Sequence, residues 1–351
     1  MPTLSDISGQ HWTDDPWNFR DDDYDLARPF GPVLQIIYQY GLQEYHLQRQ
    51  LDHIKRLHQD GHDLTFRLTA SPWENETELA RRWAPIIRSL LPFGQRFQIL
   101  NEVNDPIEGW LKTYQKAEDI YETWALNFLR EIRRLVPEAK FGSTPMSPNF
   151  SDLTWYAAIP NLLAEADFFC CHVYWQYENW ASPDAGQRYK RYLDLTNKDV
   201  FITEYADTTP NKSSREQATT CQLWLNTIAN EQPRIRACHK FILASSNQLW
   251  KDQIIDSADL PLLLTKTQIE GEPPVEPTTI TDARLINPAL FAEWNASDGP
   301  DKAIRRAFAR HFCQITKSTD PGILLDITDE AKEVVCDYTE ILRPFFQGLK
   351  A

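Results

Sequence analysis

Short apolar runs alternate with longer amphipathic stretches along most of the chain. The runs at residues 7–12, 33–38, 64–68, 97–100, 140–144, 167–174, 200–203 and 240–244 are short, rich in branched and aromatic side chains, and end in polar residues. That is the pattern of strands. Between them, apolar positions recur at helical spacing over 43–59, 76–91, 107–135, 152–164, 186–195 and 213–229. In the longest of these the recurring residues are Trp110, Tyr114, Tyr121, Trp124, Phe128 and Ile132. Strands separated by helices predict a parallel sheet, because a parallel crossover needs room for a helix. Eight strand–helix units in about 250 residues fit a closed (β/α)8 barrel, or TIM barrel. Two segments exceed that plan. Residues 14–32 read as an acidic, proline-containing loop after the first strand, and 257–285 as a long loop after the eighth. Residues 289–315 and 329–346 are predicted helical and assigned to the outside of the same barrel, giving one domain over 1–351.

Composition narrows the function classes. Lys and Arg number 36 against 50 Asp and Glu, a net charge of −14. Phosphate backbones are held by clustered cations, so a nucleic-acid partner is not expected. At 42% hydrophobic and 25% charged the chain is an ordinary globular sequence, long enough to bury a core without disulfide or metal. It shows no basic-then-apolar leader and no run of about 18 apolar residues, so a cytoplasmic protein without a membrane partner is expected. Of its six cysteines none forms a C-x-x-C pair, and Cys170 and Cys171 sit inside an apolar run. The outlying number is 12 Trp, beside 13 Tyr and 17 Phe. Trp110, Trp124 and Trp224 fall on helical faces and are expected in the core. Trp12, Trp73, Trp175 and Trp250 fall just past strand ends, where flat indole faces suit a sugar ring or simply fill a loop.

Active sites of such barrels lie at the C-terminal ends of the strands. The polar residues that finish each run therefore carry the chemistry. The fourth run finishes in Asn101-Glu102 and the seventh in Glu204-Tyr205, so both carboxylates face one mouth. Asn-Glu closing the fourth strand with Glu closing the seventh resembles the signature of the clan A glycoside hydrolases, which are retaining enzymes on (β/α)8 barrels. His172-Val173-Tyr174 at the end of the sixth strand, Thr203-Glu204-Tyr205, and Trp250 after the eighth extend the resemblance. It covers about residues 7–250 and is strongest from 97 to 250. The resemblance implies a retaining glycosidase with Glu102 as acid/base and Glu204 as nucleophile. It also implies that Asn101 binds the sugar 2-hydroxyl, that Tyr174 holds the nucleophile, that His172 touches a sugar hydroxyl or braces Glu102, and that Trp250 floors the sugar site. Two departures stand out. The clan's arginine belongs on the second strand, where this chain has Gln35, and Arg67 on the third strand is the candidate replacement. The frequent Asn-Glu-Pro is here Asn101-Glu102-Val103.

Other readings of the same residues are a carbohydrate-binding pseudoenzyme and a metal-dependent barrel hydrolase. Intact Glu102 and Glu204 argue against the first. For the second, His11, His172 and a carboxylate could make a triad, but no tight ligand spacing supports one. No cofactor is expected, and the carbohydrate is expected to be neutral. Sugar, linkage and oligomeric state are not encoded in any pattern visible here.

Overall fold

The computed structural model describes residues 3–12, 21–37, 44–71, 74–106, 110, 117–148, 151–177, 179–243 and 253–266. Its strands are β1 (Ser8–Trp12), β2 (Pro32–Ile37), β3 (Asp63–Leu68), β4 (Arg96–Ile99), β5 (Lys140–Gly142), β6 (Phe169–Trp175), β7 (Val200–Asp207) and β8 (Ile235–Lys240). Every pairing is parallel, in the order β5-β4-β3-β2-β1-β8-β7-β6. The two end strands meet at a bridge between Gly142 and Phe168. There Asp167 N donates to Phe141 O (2.7 Å) and Ser143 N to Phe168 O (3.1 Å). This brings the curled sheet round to the expected (β/α)8 barrel.

The helices are α1 (Leu4–Ile7), α2 (Asp21–Ala27), α3 (Glu44–Gln59), α4 (Glu76–Leu90), α5 (Ala117–Leu135), α6 (Asp152–Ala158), α7 (Pro160–Glu165), α8 (Tyr189–Leu193) and α9 (Ser214–Glu231). Their ends follow local chemistry. Ser213 and Glu216 form a reciprocal capping box at the start of α9. Asn75 accepts from Glu78 N (3.0 Å) at the start of α4. One helix was expected over 152–164, but Ile159 leaves helical geometry ahead of Pro160 and divides it in two. The acidic loop at 14–32 contains α2, whose first turn of Asp21, Asp22 and Asp23 suits a helix N-terminus.

The eighth strand is the larger correction. It runs from Ile235 to Lys240, not over 240–244. Arg236 lies exposed on the outer side while its neighbours are buried, so the strand carries a charge that masks its alternation. The apolar residues after it close the barrel's end. Phe241 and Ile242 pack with Ala206, and Leu243 joins the main core.

That main core lies between barrel and helices. A second cluster of Phe168, Cys170, Phe201 and Ala237 fills the barrel interior towards its N-terminal end. Cys170, Cys171, Cys221 and Cys238 are buried and free. No helix among the described residues is long and apolar enough to cross a membrane.

The chain divides into two compact units, Met1–Thr267 and Gln268–Ala351. The first contains every strand named above. Of the long loop expected at 257–285, the beginning is a short 3-10 helix, Leu260–Leu264, whose Leu260 and Leu263 are buried. Gln222 of α9 donates to Thr265 O just after it (2.8 Å). The remainder of that loop and the helices expected at 289–315 and 329–346 lie outside the described residues.

Candidate active site

Strand parity decides which side chains enter the barrel. Partners in a parallel pair share a face, and neighbours along a strand oppose each other. Ile36 pairs with Arg67 and Arg67 with Gln98, which puts Arg67 inside. Gln35 therefore points outward, where its carbonyl meets His53 Nε2 of α3 (2.8 Å). Gln35 thus faces the helices, whereas Arg67 enters the barrel interior. Between β6 and β7 the register slips at Cys171/His172, so that His172 pairs with Glu204 rather than with Thr203. The bulge re-aims the strand and brings His172 and Glu204 onto one face.

Glu102 arrives differently. β4 ends at Ile99, and the chain turns sharply, with Leu100 at φ 54° and Glu102 at φ 26°. These are unfavourable values for residues with a Cβ. Gln98 Nε2 donates to Leu100 O (2.7 Å) and Asp105 N to Glu102 O (2.7 Å), which fix the turn. Strain of this kind collects at sites that need a side chain held in an unusual place.

The groups converge. Arg67 Nη1 donates to Glu204 Oε1, with both side chains almost fully buried. Arg67 Nη2 lies 3.2 Å from His172 Nε2. A guanidinium can only donate, so Nε2 accepts and the imidazole proton sits on Nδ1. That nitrogen is 2.6 Å from Glu102 Oε1 and 3.5 Å from Glu204 Oε2. The Tyr174 hydroxyl donates to Glu204 Oε2. His11 Nε2 approaches Glu204 Oε1 at 3.4 Å from β1. One ligating atom each from Glu102, His172 and Glu204 lies within 4.8 Å of the others.

Charge follows from this packing. Burial pushes the Glu204 carboxyl up, but His172, Arg67, His11 and the Tyr174 hydroxyl outweigh it, and the group lies well below the usual carboxylate range. Of these, Arg67 donates directly to Oε1 and the Tyr174 hydroxyl to Oε2. Burial, reinforced by Arg67, drives His11 well below the ordinary imidazole range, so it is neutral at pH 7. Burial, together with the Glu204 and Glu102 charges, pushes the Tyr174 hydroxyl well above the usual phenol range and keeps it a donor. Three ligating atoms this close could also grip a divalent cation. Here Arg67 already places a permanent positive charge on Glu204, and His172 Nδ1 is committed as a donor to Glu102. Both features oppose a cation and suit proton chemistry.

The structure thus brings together Glu102, Glu204, His172, Tyr174 and Arg67. Asn101 stands half-buried in the turn beside Glu102. It does not bring Trp12 or Trp175 to the mouth. Both are one residue past an inward side chain and so point outward. Trp12 is 1% exposed and packs on Tyr24 and His53, with ring centroids 5.4 and 4.9 Å away. Trp175 is 2% exposed, stacks on Tyr205 and packs at a tilt against Trp224. They are wedges between barrel and helices, not sugar platforms. Trp110, Trp124 and Trp224 are buried as expected. Trp73 and Trp250 lie outside the described residues.

Two neighbours of the site were not assigned a role there from sequence. From sequence His11 reads only as a candidate metal ligand, yet it is the last inward residue of β1. Phe241 follows β8 directly, with its ring centroid 5.2 Å from His11 and 6.2 Å from Tyr174. It was concealed by the misplaced strand.

No protein-family model matches the sequence. No curated protein matches it either. Solved structures do share its fold. The GH53 catalytic domain of Ignisphaera aggregans superposes with a TM-score of 0.55 at 12% identity, over 76% of this chain and 98% of that one. An exo-β-1,4-mannosidase from an Opitutaceae bacterium gives 0.53 at 13% identity, over 74% of this chain and 58% of the other. Fungal β-1,4-galactanases give 0.51 at 12% identity, over 67% and 88%. This chain therefore spans less than two thirds of the mannosidase. At such identities the likeness establishes the barrel, an architecture these glycoside hydrolases share with it.

Proposed function

We propose that this protein is a retaining glycoside hydrolase acting on a neutral β-linked oligo- or polysaccharide, with Glu204 as nucleophile and Glu102 as acid/base. The observation that carries this reading is the pair of carboxylates, one in the turn after β4 and one on β7, with an oxygen atom of each within 4.8 Å of the other. Retention needs two carboxyl groups about 5–5.5 Å apart, whereas inversion leaves about 6.5–9.5 Å for a water.

The roles divide by environment. Glu204, kept ionised by Arg67, attacks the anomeric carbon through one oxygen. Glu102 gives its proton to the departing glycosidic oxygen, and the bond to the leaving sugar breaks as the glycosyl ester forms. His172 donates to Glu102 Oε1, which leaves Oε2 to hold the transferable proton. Esterification removes the negative charge of Glu204. Glu102, now ionised, takes a proton from water, and the resulting hydroxide displaces Glu204 and restores the starting state. Tyr174 holds Glu204 Oε2 and steadies the trajectory. Asn101, beside the acid, is suited to the sugar 2-hydroxyl. The fold-sharing barrels include enzymes described as β-1,4-galactanases and an exo-β-1,4-mannosidase. β-Linked galactosides and mannosides accordingly belong among the first probes.

The test is covalent trapping with a panel of activated 2-fluoro glycosides, followed by peptide mapping. Label on Glu204 is expected, and Glu102→Gln should lower kcat about 10²–10⁴-fold on substrates with poor leaving groups. Label on another residue, or full activity in both Glu204→Ala and Glu102→Gln, would overturn the assignment.

A further inference from the structure

Among the described residues, three large apolar or aromatic side chains are exposed: Ile120, Tyr177 and Leu195. Ile120 lies on α5, and Leu195 follows α8. Tyr177 alone stands at the C-terminal end of a strand, two residues beyond β6 and 61% exposed.

Its backbone is unusual too. Tyr177 has φ 54°, in the left-handed region that a bulky aromatic side chain rarely occupies. The conformation is imposed from the loop after β7. Tyr177 N donates to Thr209 Oγ1 (2.5 Å), and Tyr177 O accepts from Asn179 N (2.8 Å). Thr209 is anchored in turn, its backbone N donating to Asp207 Oδ1 (3.1 Å). Asp207 is fully buried and also accepts from Lys212 Nζ (2.8 Å) and Thr220 Oγ1 of α9 (2.6 Å). On the other side Thr208 N donates to Trp175 O (2.8 Å). The two loops are thus stapled to each other on both sides of residue 176. A strained position this firmly determined presents a side chain that packing does not use.

The position fits a ligand larger than one sugar. Tyr174, which holds the nucleophile, is three residues away. At 3.8 Å per peptide its Cα is within about 11 Å of that of Tyr177, a span that a short oligosaccharide bridges. An exposed phenol ring offers a flat apolar face and a polar tip, the combination that stacks on a pyranose.

Resting on the glycosidase reading above, we propose that Tyr177 is a stacking platform for a sugar unit beyond the one cleaved. Its lifted backbone makes the β6 side of the mouth a distal subsite for β-linked oligosaccharides.

The test uses the full chain carrying Glu204→Gln, titrated by calorimetry with β-linked gluco-, manno- and galacto-disaccharides and hexasaccharides. Turnover by the otherwise wild-type enzyme is measured on the same panel. Tyr177→Gly in the Glu204→Gln background is expected to bind the preferred hexasaccharide about tenfold more weakly, and Tyr177→Trp to restore binding. Tyr177→Gly should also melt at the same temperature or higher, because glycine accepts the left-handed conformation without strain. A structural role would reverse that last result and lower the melting temperature, which would overturn the proposal. Equal hexasaccharide affinity with and without Tyr177, in a protein whose wild type turns the sugar over, would overturn the subsite and leave the glycosidase standing. Absence of binding and turnover across the panel would overturn both.

Discussion

Replacing Arg67 by Met isolates the electrostatics of Glu204, the proposed nucleophile. The guanidinium and the Glu204 carboxylate are 3% and 6% exposed. Two unit charges about 4 Å apart at an effective dielectric of about 20 attract by about 4 kcal/mol. At 1.36 kcal/mol per pH unit this is about three units of proton affinity, an upper bound because water filling the vacated space reduces it. The acid limb of kcat/KM, where Glu204 loses its ionised form, should therefore move up by at least about one pH unit. The same change leaves a buried carboxylate unpaired, costing about 3–5 kcal/mol of folding stability. The sign of its pH dependence is fixed. The folded Glu204 carboxyl lies below its unfolded value. Its stabilising contribution is therefore complete above the ordinary carboxylate range and declines as pH falls through and below it. The stability gap between wild type and Arg67→Met should be widest near neutrality and shrink below about pH 4. Urea unfolding at several pH values and a pH–rate profile measure both effects. An unmoved acid limb in a folded Arg67→Met protein would refute the view that Arg67 keeps Glu204 ionised.

Three further outcomes follow from particular contacts. Tyr174→Phe removes the hydroxyl donated to Glu204 while keeping the ring, and should lower kcat about tenfold with an unchanged melting temperature; an unchanged kcat would count against the positioning role. Asp152 is fully buried and takes Arg188 and the Tyr192 hydroxyl, joining α6 to α8. Asp152→Ala should cost about 3–5 kcal/mol in chemical denaturation yet leave activity per folded molecule intact. Lys240 is buried, its ammonium donating to Phe241 O and Gln253 O, and burial brings it down to about 8, partly offset by Cys221 and Asp207. Between about pH 8 and 10.5 the unfolded chain then holds a proton the folded one does not. Wild type should accordingly gain up to about 3 kcal/mol relative to Lys240→Met across that window, and a constant difference would contradict it.

How much of this was legible in the chain depended on period and parity. The strand ends at Glu204, Tyr174 and Arg67 could be read because an apolar run that stops at a polar residue marks a barrel mouth. Parity was equally available but easily overlooked: with His11 and Tyr174 inward, Trp12 and Trp175 must face out. The bulge at Cys171/His172 was not legible, because a register slip depends on pairing between strands and leaves no trace in either alone. The turn at Leu100–Glu102 was hidden for a related reason, since no glycine announces its left-handed residues. β8 was misplaced because solvent on its outer side permits Arg236, while the apolar residues beyond it seal the barrel's end instead of extending the sheet.

The seam between β5 and β6 is the joint that closes the barrel. Going the short way round the barrel, only β5, the seam and β6 separate the strand of Glu102 from the strand of Glu204. The seam is a bridge supplemented by two side chains, with Ser143 Oγ accepting from Cys170 N (3.0 Å) and Asp167 Oδ2 from Phe141 N (2.8 Å). At its centre a Cβ on Gly142 would fall 2.2 Å from the Phe168 ring and 2.7 Å from Cys170 Sγ. The missing methyl group thus acts as a gauge for the barrel's circumference. Bulk added there would meet the Phe168 ring and the Cys170 sulfur across the seam, and so load the one joint that closes the barrel on itself.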